Sequence, residues 1–299
     1  MNESNNLYIS SRGILNSCNY RSNTPVSSIR QMINYCYVYF DKPERTHTVY
    51  VCSSAIPHFI THVLPTISRP FILVSGDCDE TMPYDVLPSD KFDEFINNPF
   101  IIHWFCQNMV IKHSKMTCIP IGLDYHTMVN NRMWGDITTA FEQEKQLQLI
   151  KRDSLHFSKR TVKCYANFHF LMTTKYGKHD RQDAYDNIDK NLVYYEPEKI
   201  NRLSTWMTQT KYAFVVSPHG NGYDCHRTWE ALILGCIPIV KTSAIDALYD
   251  ELPVLIVNDW KDVTMELLHN TIESYQQKVF NFNRLTLKYW MDIINMTNK

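Results

Sequence analysis

Glycine is scarce in this sequence, with 8 in 299 residues. Because glycine alone reaches positive φ without strain and lets another group come close to the backbone, a scarce glycine marks a place where the chain needs that freedom. Two of the eight lie close together in the segment Ser217-Pro218-His219-Gly220-Asn221-Gly222. The scarcity therefore singles out this loop.

The net charge is also small, at −1, because 30 Lys and Arg stand against 31 Asp and Glu. Such a balance favours neither nucleic acid nor an anionic membrane as a partner. No window approaches 18 consecutive apolar residues, and the first ten residues, MNESNNLYIS, are polar. We therefore expect no signal peptide and no integral membrane segment, and predict a cytoplasmic protein or a soluble fragment of a longer one.

The nine cysteines form no CxxC pair, and their number is odd. Five of them fall in or beside apolar runs: Cys52, Cys106, Cys118, Cys164 and Cys236. We interpret them as small buried hydrophobic residues in a reducing compartment, rather than as disulfides or zinc ligands.

What the chain does have is an alternation of short apolar strands and helices, which is typical of Rossmann-like parallel sheets. In the first half, strands are predicted at 49–52, 71–74, 101–105 and 116–119, with helices at 57–67, 91–96 and 108–113. In the second half, strands are predicted at 161–166, 192–195, 212–216, 237–240 and 254–256, with helices at 199–209, 225–234, 244–249 and 260–280. Weaker patterns predict a strand at 7–9 and a helix at 26–40. The polar run 173–181 is interpreted as a solvated loop, with the exception of Arg181.

These elements predict an α/β fold class with two Rossmann-like domains that face each other across a cleft. The charged, Gln-rich helix 136–153 is interpreted as the connector that leaves the first domain. The domains are then 1–155 and 156–281. A last amphipathic helix, 284–294 within the segment 282–299, has the length and apolar face to return to the first domain.

The clearest unit is 211–240, which reads as strand, polar glycine loop, helix and strand. Asp224 is predicted as the N-cap of the helix, and Gly235 follows its end. At 100° per residue, Arg227 and Glu230 share the face opposite the apolar one. They could face a ligand in the crevice at the carboxyl end of the sheet, where helix N-termini suit a diphosphate. Alternatively, they form a solvated i,i+3 pair.

The segment 217–260 resembles the carboxyl-terminal part of exostosin-like glycosyltransferases. The resemblance rests on the loop 217–222, on Arg227-Thr228-Trp229-Glu230-Ala231-Leu232, on Gly235-Cys236-Ile237-Pro238-Ile239-Val240, and on Leu252-Pro253-Val254 and Asp259-Trp260. The sequence departs from the family at His219, where Arg is common. Arg181 stands near the place where the family often has an arginine ahead of its next helix.

The resemblance implies a GT-B fold, in which the second domain holds a nucleotide-sugar, here a UDP-sugar, and the first binds a glycan acceptor. It implies metal-independent, inverting transfer with no further cofactor. By matching, Glu230 binds the ribose hydroxyls and Arg227 faces the diphosphate or sugar. The remaining donor-site residues are Ser217, His219, Gly220, Asn221, Gly222 and Arg181. A chain without an anchor fits a viral or microbial enzyme of this kind.

Inverting transfer needs a general base for the acceptor hydroxyl. The loop after strand 71–74 supplies three carboxylates, Asp77, Asp79 and Glu80, although either aspartate could instead cap the following turn. Asp124 and His126 are second choices, and His58 is a third. Trp134 is predicted to contact the acceptor.

Three other functions remain open at this point. Asp77-Cys78-Asp79 fits the Asp-x-Asp motif with which single-domain GT-A transferases hold Mn²⁺ and a nucleotide-sugar. A non-catalytic nucleotide- or glycan-binding module could share the same fold. A nucleotide-sugar epimerase or a reductase is disfavoured, because no GxGxxG loop stands at the amino-terminal βα turn.

Overall fold

The computed structural model describes residues 2–32, 47–168, 175 and 177–296. Within these ranges the chain divides into two compact units. The amino-terminal unit comprises the described residues of 2–5, 9–121 and 286–296, and the carboxyl-terminal unit comprises those of 6–8 and 122–285. The second part of the predicted helix 26–40 lies outside the described residues, and 26–32 are not helical.

The amino-terminal unit holds a four-stranded parallel sheet in the order β1-β2-β3-β4. Its strands are β1 His47–Cys52, β2 Phe71–Gly76, β3 Ile101–Cys106 and β4 Met116–Cys118. Every residue of β1 and β2 is buried. This explains why they appear in the sequence as short apolar runs, since a strand covered on both faces has no polar side.

The described residues of this unit include the helices α1 Ser11–Ser17, α2 Ile56–His58, α3 Ser89–Ile96 and α10 Leu287–Met296. The predicted helix 57–67 is divided into α2, a wider π-helical turn at Phe59–Val63 and a 3₁₀ turn at Leu64–Thr66. The helix predicted at 108–113 is wrong, because Asn108 has a φ of 52° and the chain there forms a turn. The carboxyl-terminal helix α10 packs against α1, where a Cβ on Gly13 would lie 3.2 Å from Leu287.

The carboxyl-terminal unit holds a five-stranded parallel sheet in the order β6-β5-β7-β8-β9. Its strands are β5 Thr161–Ala166, β6 Val193–Tyr195, β7 Tyr212–Val216, β8 Ile237–Lys241 and β9 Leu255–Val257. Its helices are α4 His126–Asn130, α5 Ala140–Asp153, α6 Gly177–Asn187, α7 Arg202–Gln209, α8 His226–Ile233 and α9 Met265–Gln276. Trp260 and Phe214 are fully covered in its core.

The predicted fold class, α/β with two parallel Rossmann-like sheets and a last helix that returns to the first, is confirmed. Three details differ. Residues 7–9 form no strand, α6 occupies part of the run predicted as loop, and the helix predicted at 260–280 begins only at Met265. Among the described residues, none of the helices combines the length and apolar character that a membrane crossing needs.

Candidate functional site

The loop 217–222 lies at the point where the order of the five-stranded sheet reverses. β5 is the first strand of this sheet along the chain, but it lies between β6 and β7. The connection from β5 therefore leads to β6 on one side, and the connection from β7 leads to β8 on the other side. In open α/β sheets, ligands bind outside the carboxyl ends of the strands at this kind of switch point. Phe168 follows β5, and the guanidinium carbon of Arg227 lies 5.8 Å from the centre of its ring. The geometry thus places Arg227 at the switch point.

Side chains of two helices, α8 and α6, hold the loop. The hydroxyls of Ser217 and Thr228 are 2.8 Å apart, which fastens the loop to α8. The buried carboxylate of Asp180, on α6, accepts the backbone N–H of His219 at 2.7 Å and the indole N–H of Trp260 at 2.7 Å. Within the loop, the N–H of Gly220 donates to the carbonyl of Gly222 at 3.1 Å. The amides of His219 and Gly220 therefore already have acceptors inside the protein.

Gly220 and Arg181 approach each other closely. A Cβ on Gly220 would lie 2.8 Å from Nη2 of Arg181, closer than real Cβ atoms come to other heavy atoms. A glycine is thus required at this place for the guanidinium to pack on the loop backbone. Arg181 itself lies inside α6, in the polar run 173–181 that the sequence predicts as loop.

His219 is 6% exposed, and its two ring nitrogens differ. Nδ1 lies 2.9 Å from the carbonyl oxygen of Tyr223. Because a carbonyl can only accept, Nδ1 carries the proton of this hydrogen bond. Nε2 is buried and has no hydrogen-bond partner within the described part of the chain. It can accept a hydrogen bond when the ring is neutral, and donate one to an anion when the ring is protonated.

Arg227 is anchored at one edge of its guanidinium. Its Nη2 donates to the carbonyl of Pro218 at 2.6 Å, whereas its buried Nε has no hydrogen-bond partner among the residues described. Arg227 and His219 therefore each present one buried polar nitrogen that has no hydrogen-bond partner among the described residues. Buried polar atoms are nearly always hydrogen-bonded, so two such atoms in one loop and helix pair make this a candidate ligand site.

Glu230 pairs with a residue that the sequence did not point to. Its Oε1 lies 3.1 Å from Nη2 of Arg202, on α7, and the two side chains are 11% and 10% exposed. Its Oε2 has no hydrogen bond or ion pair within the described ranges. The alternative of a solvated pair between Arg227 and Glu230 is wrong, since these two residues have different partners and Glu230 is buried.

Arg202 continues this contact into a network. Its Nη1 donates to the backbone carbonyl of Asp124 and, at 3.4 Å, to Oε1 of Gln143. Its Nη2 is 3.8 Å from Oδ2 of Asp124, and its guanidinium lies 5.6 Å from the ring centre of Trp206. The side chain is thus held on several sides, and its position fixes that of the Glu230 carboxylate.

Asp124 is a buried carboxylate surrounded by positive groups. Its Oδ1 accepts the N–H of Thr127 at 2.9 Å and lies 3.2 Å from Nδ1 of His126. Burial alone would raise the pKa of Asp124, but the charges of His226, His126 and Arg202 and the Thr127 hydrogen bond together hold it well below its usual range. His226, at the start of α8, donates from Nδ1 to the carbonyl of Gly122 at 2.7 Å.

The three carboxylates of the loop after β2 differ in their surroundings. Asp77 is 6% exposed and has a φ of 57°, and its carboxylate accepts the hydroxyl of Ser27 at 2.7 Å and lies 3.7 Å from Nε of Arg12. Asp79 is exposed and Glu80 partly exposed. Within the described ranges, no group of three His, Cys, Asp or Glu residues is placed to hold a metal ion.

The other predicted positions also have definite surroundings. The side-chain oxygen of the exposed Asn221 accepts the N–H of Lys175 at 3.2 Å, and Gly222 is buried. Trp134 is half-buried, with Nζ of Lys199 5.7 Å from its ring centre. His58 stacks on His62 with their ring centres 4.2 Å apart.

Asp224 is not the N-cap of α8, because Cys225 occupies that position. Asp224 is 2% exposed, and its carboxylate accepts the indole N–H of Trp229 at 2.8 and 3.0 Å and the hydroxyl of Tyr249 at 3.2 Å. The residues that sequence reasoning missed, Arg202, His226 and Asp180, give no local signal, because their partners lie on other elements.

In comparisons with known proteins, the chain is similar to solved structures only. No family model and no curated protein matches the chain. It is similar to a crystal structure of alpha1,3-fucosyltransferase at 11% identity and a TM-score of 0.39, over 76% of each chain. It is also similar to that of alpha1,3-fucosyltransferase with GDP-fucose, at 11% identity and a TM-score of 0.42, over 91% of this chain and 94% of the other. It is similar as well to that of alpha1,3-fucosyltransferase with GDP, at 12% identity and a TM-score of 0.37, over 91% of this chain and 93% of the other.

Proposed function

We propose that the chain is a glycosyltransferase that binds a nucleotide-sugar at the carboxyl edge of its five-stranded sheet. One observation carries this proposal. Among the described residues, Arg227, at the switch point of that sheet, has no partner for its buried Nε–H, and Glu230, on the same helix, has none for one carboxylate oxygen. A cation for phosphates and an acceptor for hydroxyls, one helical turn apart, suit the two ends of a ribose diphosphate.

The diphosphate is assigned to side chains rather than to loop amides. The amides of His219 and Gly220 already donate to Asp180 and Gly222. Nε of Arg227 and, when the ring is protonated, Nε2 of His219 can donate to phosphate oxygens without breaking an existing bond. Their positive charge would also stabilise the diphosphate as it leaves, which is where negative charge develops in the transfer.

The ribose hydroxyls are assigned to Glu230. A carboxylate can accept two hydroxyl protons, and the Oε2 oxygen is the one available for this. The ion pair with Arg202 fixes the orientation of the Glu230 carboxylate before the ligand arrives.

Asp79 and Glu80 are the best-suited of the predicted bases. Asp77 is held by Ser27 and Arg12, and Asp124 has a lowered pKa. A carboxylate with a low pKa takes up a proton poorly and is a weak general base. In the inverting reaction, the base takes the proton of the acceptor hydroxyl, the hydroxyl oxygen bonds to the anomeric carbon, and the bond from that carbon to the diphosphate breaks. We propose a glycan hydroxyl as the acceptor and UDP as the nucleotide.

A thermal-shift panel of UDP, GDP and CDP sugars tests the proposal. A nucleotide at 100 times its Kd should stabilise the chain by about 2.7 kcal/mol. At the same nucleotide concentration, a 10-fold weaker binding in Arg227→Gln should reduce this stabilisation to about 1.4 kcal/mol or less. Arg152→Gln is the matched control, because Arg152 is an exposed arginine of the same unit, and it should leave the shift unchanged. If no nucleotide stabilises the chain, the donor site is wrong.

Turnover separates the enzyme from a binding module. Release of nucleoside diphosphate in the presence of glycan acceptors should fall strongly in Asp79→Asn or Glu80→Gln. Binding without turnover, unchanged in both variants, would favour the non-catalytic module. Loss of turnover in EDTA that Mn²⁺ restores would favour the metal-dependent alternative at Asp77 and Asp79.

A further inference from the structure

Glu144, on α5, gathers hydrogen bonds from two distant parts of the chain. Its Oε2 accepts the backbone N–H of Leu7 at 3.0 Å, and its Oε1 accepts that of Tyr8 at 2.9 Å. Oε1 also accepts the hydroxyl of Tyr125 at 3.0 Å. Both Glu144 and Tyr125 are buried, and a carboxylate suits three donors because its two oxygens only accept. One buried side chain thus joins the amino-terminal segment 7–8 to Tyr125.

Tyr125 is held a second time by the same helix. Nε2 of Gln143, which is fully buried, donates to the backbone carbonyl of Tyr125 at 2.9 Å. The helix α5 therefore fixes both the side chain and the backbone of Tyr125. The carbonyl of Asp124 belongs to the peptide group that joins it to Tyr125, so these bonds also fix the direction of that carbonyl. It is the carbonyl that accepts Nη1 of Arg202.

The contacts continue from Arg202 to the carboxylate that we assign to the ribose. Nη1 of Arg202 also lies 3.4 Å from Oε1 of Gln143, and its Nη2 lies 3.1 Å from Oε1 of Glu230. Every residue in this series belongs to the carboxyl-terminal unit. Contiguous networks of hydrogen bonds and ion pairs carry coupling between distant positions. A change at Glu144 should therefore reach Glu230.

We propose that Glu144 is a positioning residue for the nucleotide site, and that the amino-terminal segment 7–8 is part of the support of this site. Glu144 acts through Tyr125 and Arg202 on the carboxylate of Glu230. The inference rests on the proposed function, because it concerns the ribose end of the proposed nucleotide. Since coupling between two sites is reciprocal, a bound nucleotide also stabilises the hydrogen bonds that Glu144 accepts from residues 7 and 8.

Calorimetric titration of UDP and of GDP into the whole protein and single variants tests this support. Tyr125→Phe removes only the hydroxyl that Glu144 accepts, and should weaken nucleotide binding about 3-fold. Glu144→Gln offers one amide oxygen to three donors, and should weaken it about 10-fold. Inorganic pyrophosphate, which has no ribose, should bind the protein and both variants equally.

Tyr275→Phe is the matched control. The hydroxyl of Tyr275 donates to the carbonyl of Val254 at 2.8 Å, at the amino end of β9 and thus at the edge of the sheet opposite the proposed site. Its loss should leave nucleotide affinity unchanged. If Tyr125→Phe and Glu144→Gln also bind the nucleotide as the parent does, the inference is overturned and the proposed function stands. If the parent binds neither UDP nor GDP, the proposed function itself fails.

A second background separates positioning from a general loss of stability. In Glu230→Gln, the carboxylate that Glu144 positions is absent, so Tyr125→Phe should cause no further loss of nucleotide affinity. A merely structural role would give the same loss in both backgrounds and would overturn the proposal.

Amide hydrogen exchange tests the reciprocal effect. A saturating nucleotide should slow exchange at Leu7 and Tyr8 in the parent, and this slowing should be lost in Glu144→Gln. The amide of Leu267, which donates to Thr264 at the start of α9, is the reference and should not change. Exchange at Leu7 and Tyr8 that the bound nucleotide leaves unchanged would overturn the role of the amino-terminal segment.

Discussion

Arg202 and Glu230 form an ion pair in which Nη2 lies 3.1 Å from Oε1 and both side chains are about nine-tenths buried. The pair joins the start of α7 to the centre of α8. Through Arg202 it also reaches Asp124, at the amino-terminal end of the same unit. Arg202 thus positions the carboxylate of Glu230, which we assign to binding of the nucleotide-sugar.

Removal of the Arg202 side chain should lower the stability of the protein. Arg202→Ala leaves the buried Glu230 without its partner, and breaking a buried pair in this way costs about 3–5 kcal/mol. Urea unfolding should show this loss, while Arg152→Ala, an exposed control, should stay within about 0.5 kcal/mol of the parent. Arg202→Lys should recover part of the stability. An unchanged unfolding midpoint in Arg202→Ala would contradict the pairing.

Gly220→Ala should separate binding from stability. The new Cβ would lie 2.8 Å from Nη2 of Arg181, which is the far end of a flexible side chain and can move away. We expect a loss of less than about 1 kcal/mol in unfolding free energy but weaker nucleotide binding, since Arg181 leaves its place on the loop. In the Arg181→Ala background, the same glycine change should have little further effect on binding. Additive losses in the double variant would contradict the contact.

Asp180→Asn should loosen the donor loop. The carboxylate accepts two N–H groups, from His219 and Trp260, and an amide can offer only one oxygen to them. The amide nitrogen would then face a donor, at a cost of about 1–3 kcal/mol. Amide hydrogen exchange at His219 should become faster. Unchanged exchange at this position would show that Asp180 does not hold the loop.

Ionised Asp124 should stabilise the folded protein, and this stabilisation should be lost at acidic pH, where Asp124 is protonated. Its folded pKa is lowered, so the stabilisation is complete at pH values above the unfolded pKa of about 3.9 and is lost as the pH falls through the folded pKa. The difference in unfolding free energy between the parent and Asp124→Asn should be constant from about pH 5 to 6 and should shrink below about pH 4. A difference that grows on acidification would contradict the charge network.

The sheets could be predicted from the sequence because their strands are buried on both faces. In β1 and β2, every position is covered, so each strand is an apolar run that ends at turn formers. The same reasoning fails at α6, whose polar sequence gives no apolar stripe although it carries the buried Asp180. It fails at 108–113 because a turn with positive φ at Asn108 leaves no sequence signal that separates it from a short helix.

The candidate site was predictable only in part, for a related reason. Arg227 and Glu230 stand on one helix, so their spacing placed them on one face. Their partners come from elsewhere: Glu230 pairs with Arg202 on α7, and Arg227 with the carbonyl of Pro218. Asp224 precedes α8 as an N-cap would, but its buried carboxylate accepts the indole N–H of Trp229 instead of a backbone N–H of the helix. Contacts made by the tertiary fold decide these cases.

The most direct measurement is calorimetric titration of a nucleoside diphosphate and of its parent nucleoside into the protein and two variants. Arg227→Gln should weaken binding of the diphosphate about 10-fold or more, through loss of a charged hydrogen bond, and leave binding of the nucleoside unchanged. Glu230→Gln should weaken the binding of both the diphosphate and the nucleoside. Equal affinities of the protein and both variants for the diphosphate would contradict the assignment of this site to a nucleotide-sugar.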